Sequence, residues 1–299
     1  MPYADTPDGP LYYEHVNFRP PWKRETPVLL HHGIGLTTDF WYDWLPILAA
    51  EFPVIRFDWR GYGRSHVPGP GYGWSLEQFG RDALAVLEAA GYERCHFVGE
   101  SMGGTTGLYL ASHAPERIVT LAVASTAFEG RYVQGLDDWA ATFAAGGGAA
   151  WSRLMMPRRL HLDRVDPALA AWFEREQARV APHVVLEQVA VLRGADLTEA
   201  LARIRAPLLI LSPVDSPFVS RAMGVELHER VPGSEIQFFP GARHAVVSSH
   251  ARECALAVAE FIKRRAAEHA LAAEEVMAAI REPHARGGIQ DVSGRPPGD

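Results

Sequence analysis

Gly99-Glu100-Ser101-Met102-Gly103 sets a serine in a Gly-x-Ser-x-Gly frame directly behind the apolar run Cys95-His96-Phe97-Val98. A serine on a sharp turn from strand to helix is a nucleophile elbow. Its hydroxyl stands above a sheet edge, and the flanking glycines remove Cβ atoms that would collide there. The expected helix at 104–113 aims its first free N–H groups at the same spot, where they would stabilise developing negative charge. The pentapeptide alone is a weak signal, because a serine in a glycine-rich loop usually serves as a turn or helix cap. Its context carries the reading: an apolar strand precedes it, and a helix, Pro115-Glu116-Arg117 and a second apolar run at 118–123 follow.

Serine is a poor nucleophile at neutral pH, so Ser101 needs a histidine to take its proton and a carboxylate to orient that histidine. Behind an elbow of this kind the order along the chain is serine, acid, histidine. Asp215, just past the apolar run Leu208-Leu209-Ile210-Leu211, is the leading acid, and His244, after the run at 236–239, is the leading base. Taken alone, Asp215 before Ser216-Pro217 reads more simply as a turn or helix cap. Glu129 is the reserve acid. The candidate oxyanion donors are the backbone N–H groups of Met102 and of Ile34, in the loop His31-His32-Gly33-Ile34-Gly35. Adjacent histidines in an extended segment point in opposite directions, and no acidic or cysteine partner stands at ligand spacing, so His31 and His32 read as structural and no metal is expected. The chemistry requires no organic cofactor either.

The elements that must position these residues follow from the pattern. Strands are expected at 11–16, 28–31, 54–57, 95–98, 118–123, 208–211 and 236–239, with helices at 76–90, 104–113, 218–230 and 251–264. This alternation predicts an α/β fold with a mostly parallel sheet covered on both faces. Between 128 and 203 the alternation stops, and a helix-like stretch rich in Trp, Met and Arg reads as an inserted cap, with Gly146-Gly147-Gly148 as its flexible joint. The core is thus expected at 1–127 and 204–265, the cap at 128–203, and a C-terminal helix running into a disordered end at 266–299. Phe128, Trp139, Trp151 and Met155 are the candidate lining of an apolar substrate pocket, backed by Tyr132, Phe143, Met156, Trp172 and Phe173.

Composition narrows the partners. With 299 residues, 47% of them hydrophobic, the chain can bury a large core. A net charge of −7 without acidic or basic blocks gives no footprint for nucleic acid or an anionic membrane, which leaves a small-molecule substrate. Of the 29 basic residues 27 are arginines, a bias that fits genome composition better than function. The two cysteines, Cys95 and Cys254, make no disulfide framework, and the N-terminus lacks the basic and apolar regions of a signal peptide. A cytoplasmic protein is expected, with homo-oligomerisation left open.

Taken together, His32-Gly33-Ile34-Gly35, the stretch Asp58-Trp59-Arg60-Gly61-Tyr62-Gly63-Arg64-Ser65, the Gly99–Gly104 elbow, Asp215 and His244 resemble the α/β-hydrolase superfamily, and within it the single-cap lactonase- and esterase-like members. The resemblance runs from Leu11 to Arg264. It implies a serine hydrolase that cleaves an ester or lactone of a small hydrophobic substrate through an acyl-enzyme, with Asp58 and Arg60 as scaffolding. The stretch from Ala190 to Pro207 is similar to the cap exit of enol-lactonases. Serine at 101 departs from the haloalkane dehalogenase and epoxide hydrolase branches, which attack through a carboxylate. Ser212 and Arg243 stand where relatives usually carry glycine. Two alternatives remain: a C–C bond hydrolase of a ring-cleavage product, needing a ketone substrate and a cap arginine such as Arg153 or Arg158, and a slow-turnover ligand receptor on the same fold.

Overall fold

The short apolar runs of the sequence assemble into one eight-stranded sheet. Its strands are β1 (Tyr3–Ala4), β2 (Leu11–Val16), β3 (Val28–His31), β4 (Val54–Phe57), β5 (Cys95–Glu100), β6 (Ile118–Ala124), β7 (Leu208–Pro213) and β8 (Glu235–Phe239). In space they run β1-β2-β4-β3-β5-β6-β7-β8, with β2 antiparallel to β1 and β4 and all later pairs parallel. Strands β3, β4, β5 and β7 are buried throughout, so they read in sequence as continuous apolar runs instead of alternating ones. The two-residue β1 has no such run and was not expected. The computed structural model describes residues 2–281 apart from Pro21 and Arg24, with side chains to Glu268; the end of the chain at 282–299 lies outside the described residues.

The helices are α1 (Leu45–Leu48), α2 (Leu76–Ala89), α3 (Met102–His113), α4 (Trp139–Arg159), α5 (Pro167–Gln177), α6 (Pro182–Gly194), α7 (Arg221–Arg230), α8 (Val246–Ser249) and α9 (Ala251–Arg281). Successive strand residues serve opposite faces. Leu29 and Phe97 join a core with Phe79 and Val86 of α2, Leu108 of α3 and Trp139 of α4. Val28, Leu30 and Val98 join a second core with Leu48 of α1, Val247 of α8 and Val258 and Phe261 of α9. The described residues up to Ile262 form one compact unit that includes the helical insert α4–α6 between β6 and β7, and those from Lys263 to Arg281 belong to another. Alanine and glutamate, both good helix formers, carry α9 past the expected end at 264 to Arg281. Among the described residues no helix is long and apolar enough to cross a membrane.

The glycine triplet breaks α4 internally instead of joining insert to core. Gly146 (φ −168°, ψ 25°) and Gly147 (φ 61°, ψ −154°) leave helical geometry, so α4 is two helical segments meeting at a kink. The strand order reverses around β3 and β5, the crevice at the carboxyl ends of parallel strands where such folds bind ligands.

Candidate active site

Strand β5 ends at Glu100, and the chain turns into α3 within one residue. That residue is Ser101, held at φ 55° and ψ −118°, outside the relaxed regions for a residue with a side chain. Packing leaves no room on either side of it. A Cβ at Gly99 would stand 2.3 Å from the Gly103 carbonyl oxygen, and one at Gly103 would stand 2.3 Å from that of His31. Ser101 N–H donates to the Ala124 carbonyl at 2.8 Å, which ties the elbow to the end of β6.

His244 comes from the loop after β8, and its Nε2 lies 3.0 Å from Ser101 Oγ. The backbone of this histidine is anchored by Ser125, whose hydroxyl donates to the His244 carbonyl at 2.6 Å. Ser125 itself is held at φ 52°, so two serines in strained geometry flank the base. The Phe218 ring meets the imidazole edge-on, with centroids 4.8 Å apart. Burial, aided by the positive charge of Arg159, pushes His244 down to about 3, so the imidazole is neutral at physiological pH.

The expected acid is displaced. Nδ1 of His244 meets the hydroxyl of Ser216 at 3.1 Å. The neighbouring Asp215 carboxylate is half-exposed and lies instead 3.5 Å from Nε2 of His161, beyond the end of α4. The turn after β7 explains the shift. Asp215 N–H donates to the Ala242 carbonyl, and Ser216 Oγ accepts the N–H groups of Phe218 and Val219, so the inward side chain of the turn is residue 216. Glu129, the reserve acid, is buried but paired with Arg131, and its backbone bridges to Asp196. Among the described residues no carboxylate reaches His244.

The sequence matches the family model described as alpha/beta hydrolase fold over residues 26–251. The chain belongs to the α/β-hydrolase family. A relative from Azorhizobium caulinodans with the provisional name carbamate hydrolase RutD is 32% identical over 253 residues, covering 82% of this chain and 92% of that one. A Caulobacter relative of the same provisional name is 28% identical and covers 88% of this chain and 99% of its own. In structure the chain is similar to the enol-lactonase of Burkholderia xenovorans, with a TM-score of 0.80 and 24% identity over 88% of this chain and 100% of that one. A hydrolase from Pseudomonas aeruginosa gives 0.75 at 28% identity, covering 87% and 97%.

Around Ser101 this α/β-hydrolase forms a narrow cleft, about 400 Å3 between atoms with its open mouth included. Trp139 and Met155 line it, together with Ile34, Leu136, Leu192 and Phe218. Phe128 and Trp151 do not. Phe128 is wholly buried in the core, and Trp151 stacks on Phe143 beneath Trp139, filling the space beside Gly35. Ile34 and Met102 are in place beside the nucleophile, and among the described hydrogen bonds none uses the N–H of either.

The insert does send an arginine into the cleft, but it is Arg159. Arg153 is exposed, and Arg158 is paired with Asp138 at 2.5 Å. Glu100, behind the nucleophile, is buried with Oε2 unpartnered, and burial pushes its carboxyl up to about 7 against the pull of Arg159. His31 and His32 are buried, pushed down to about 3 by desolvation and bonded to the backbone carbonyls of His32 and Gly33, which suits neutral scaffolding. Asp58 likewise accepts the N–H groups of Thr38 and Arg64, and Arg60 forks onto Asp82 with two bonds of 2.8 Å. Sequence reasoning missed Ser216, Ser125 and Arg159. The two backbone N–H groups waiting after Pro217 were a signal for 216, while nothing in a chain so rich in arginine singled out 159.

Proposed function

We propose that this α/β-hydrolase cleaves a small ester, lactone or carbamate through an acyl-enzyme on Ser101. The observation that carries the reading is the 3.0 Å approach of His244 Nε2 to a serine hydroxyl on a strained elbow at the head of α3. In its tautomer with Nε2 bare, His244 takes the proton as Ser101 attacks the carbonyl, then returns it to the leaving group. The N–H groups of Ile34 and Met102 receive the oxyanion, with the end of the α3 dipole behind them. Water then repeats the sequence in reverse and frees the acyl group. The names of the relatives, carbamate hydrolase and enol-lactonase, support a carbonyl flanked by oxygen or nitrogen as the target.

Ser216 occupies the place of the orienting acid, and this favours slow turnover. A hydroxyl that donates to Nδ1 holds the ring but favours the tautomer with the hydrogen on Nε2, and it brings no charge to stabilise the imidazolium. Asp215→Asn is therefore expected to change kcat/KM less than about threefold, against about 10⁴-fold for a carboxylate that orients the base. A loss of several hundredfold in esterase assays would restore Asp215 to the triad.

The depressed titration of His244 gives a second expectation. Its folded value lies below the ordinary one, so the base form persists as pH falls. The rate should stay level from about pH 8 down to about pH 5, where an unperturbed imidazole would already have lost most of its base form. A pH profile of kcat/KM with a midpoint near 6.5 contradicts this. The hydrolytic reading itself is tested by labelling with a fluorophosphonate and locating the adduct by mass spectrometry: modification of Ser101 together with loss of p-nitrophenyl ester turnover is the expected result.

A further inference from the structure

Beside the nucleophile the cleft holds a buried cation with no counter-ion in contact. Arg159, the last residue of α4, is 4% exposed. Among the described hydrogen bonds its guanidinium makes one, from Nη2 to the Ile34 carbonyl at 2.5 Å, and its Nε is buried without a partner. Among the described residues it enters no ion pair. Glu100 favours its charge from further off, yet that carboxyl, pushed up to about 7, is itself partly neutral at physiological pH. An unpaired buried charge is costly to keep, and arginine does not escape the cost by losing its proton. The group stays protonated even though burial pulls it down to about 10.

We propose that Arg159 anchors a carboxylate of the substrate, so that the enzyme acts on a small ester, lactone or carbamate bearing a negative charge. This rests on the hydrolytic reading above and narrows its substrate class. The Trp151 and Phe173 rings lie 5.6 and 6.0 Å from the guanidinium carbon and fix its plane. Held so, the free Nε edge is half of the planar fork that arginine offers a carboxylate. Ser101, His244 and Arg159 line one cleft, so a carboxylate docked on Arg159 brings its carbonyl to the nucleophile only on a short carbon skeleton. The rest of the wall is largely apolar and fits that skeleton. The chain's net charge of −7 does nothing to draw in anions, which leaves recognition to this one cation.

A matched pair of substrates tests the assignment: mono-p-nitrophenyl glutarate, which carries a terminal carboxylate, and p-nitrophenyl 5-methylhexanoate, its neutral isostere. The full chain should prefer the charged ester. Arg159→Gln should lose about ten- to a hundredfold more kcat/KM on the charged ester than on the neutral one, mainly through KM, as expected for hydrogen bonds to a charged group. Arg159→Lys should fall between. Equal losses on both esters would overturn the proposal and leave Arg159 as a strut holding the Ile34 peptide. If neither ester is hydrolysed, the hydrolytic reading fails and binding decides separately. Calorimetric titration of monomethyl glutarate into the Ser101→Ala protein, with and without Arg159→Lys, should show affinity that depends on the guanidinium. Absent binding, or binding indifferent to Arg159→Lys, refutes the anchor, and the same titration settles it should Arg159→Gln not fold.

Discussion

Replacing Ser216 with aspartate is expected to raise kcat/KM on an ester by about 10²–10⁴-fold, the span that separates a correctly oriented histidine base from one in the wrong tautomer. Ser216 Oγ accepts the N–H groups of Phe218 and Val219, each at 3.3 Å. Those two bonds occupy both lone pairs of the hydroxyl, and its hydrogen is left to donate to Nδ1 of His244. The favoured tautomer then carries its hydrogen on Nε2, facing Ser101, and only the minor tautomer, with Nε2 bare, can accept one. A carboxylate at 216 has lone pairs enough for both backbone donors and for Nδ1–H together, so the turn survives while the tautomer reverses. Its charge also favours the imidazolium, so the acid limb of the pH profile should move up towards neutrality as the rate rises. An unchanged rate with an unchanged limb would mean that the base is already oriented by some other group.

Ser101→Ala is expected to cost only about 10²-fold in the native chain but about 10⁵–10⁶-fold in the Ser216→Asp background. The asymmetry arises because nucleophile, base and acid act as a unit. Losing the acid alone forfeits most of the triad's contribution, and what remains to be lost with the serine is the smaller part. On the proposed mechanism the native protein stands where a triad enzyme stands after its acid has been removed. Measuring the four combinations gives the coupling directly. Equal losses in both backgrounds would show that Ser216 takes no part in orienting His244.

The sequence disclosed what depends on pattern and concealed what depends on packing. Buried parallel strands are short apolar runs, so seven of the eight strands were legible, and only the two-residue Tyr3–Ala4 was not. The elbow was legible because glycine at 99 and 103 is a steric requirement that leaves a mark in the residue types. His244 followed from chain order. The Asp215 carboxylate lies against His161 while the neighbouring Ser216 meets His244, since periodicity places a turn to within a residue but does not say which of its side chains faces inward. That was decided by the backbone donors of Phe218 and Val219. Of the aromatic residues read as pocket, Trp139 reaches the cleft while Phe128 and Trp151 build its support, a division that depends on how the insert helices settle on the core.

The break in α4 bears on how such a cleft diverges. Trp139 stands on the helical segment before Gly147, and Met155 and Arg159 stand on the one after it, yet all three face the same space. The bend at Gly147 therefore sets how the two segments, and the lining residues they carry, stand to one another. Its φ of 61° suits glycine and strains other residues, and a Cβ there would meet nothing within 4 Å. A replacement at 147 meets no clash that would unfold the chain, only a pull on the bend. Substrate range can thus drift through one backbone angle, with every residue that touches the substrate left as it was.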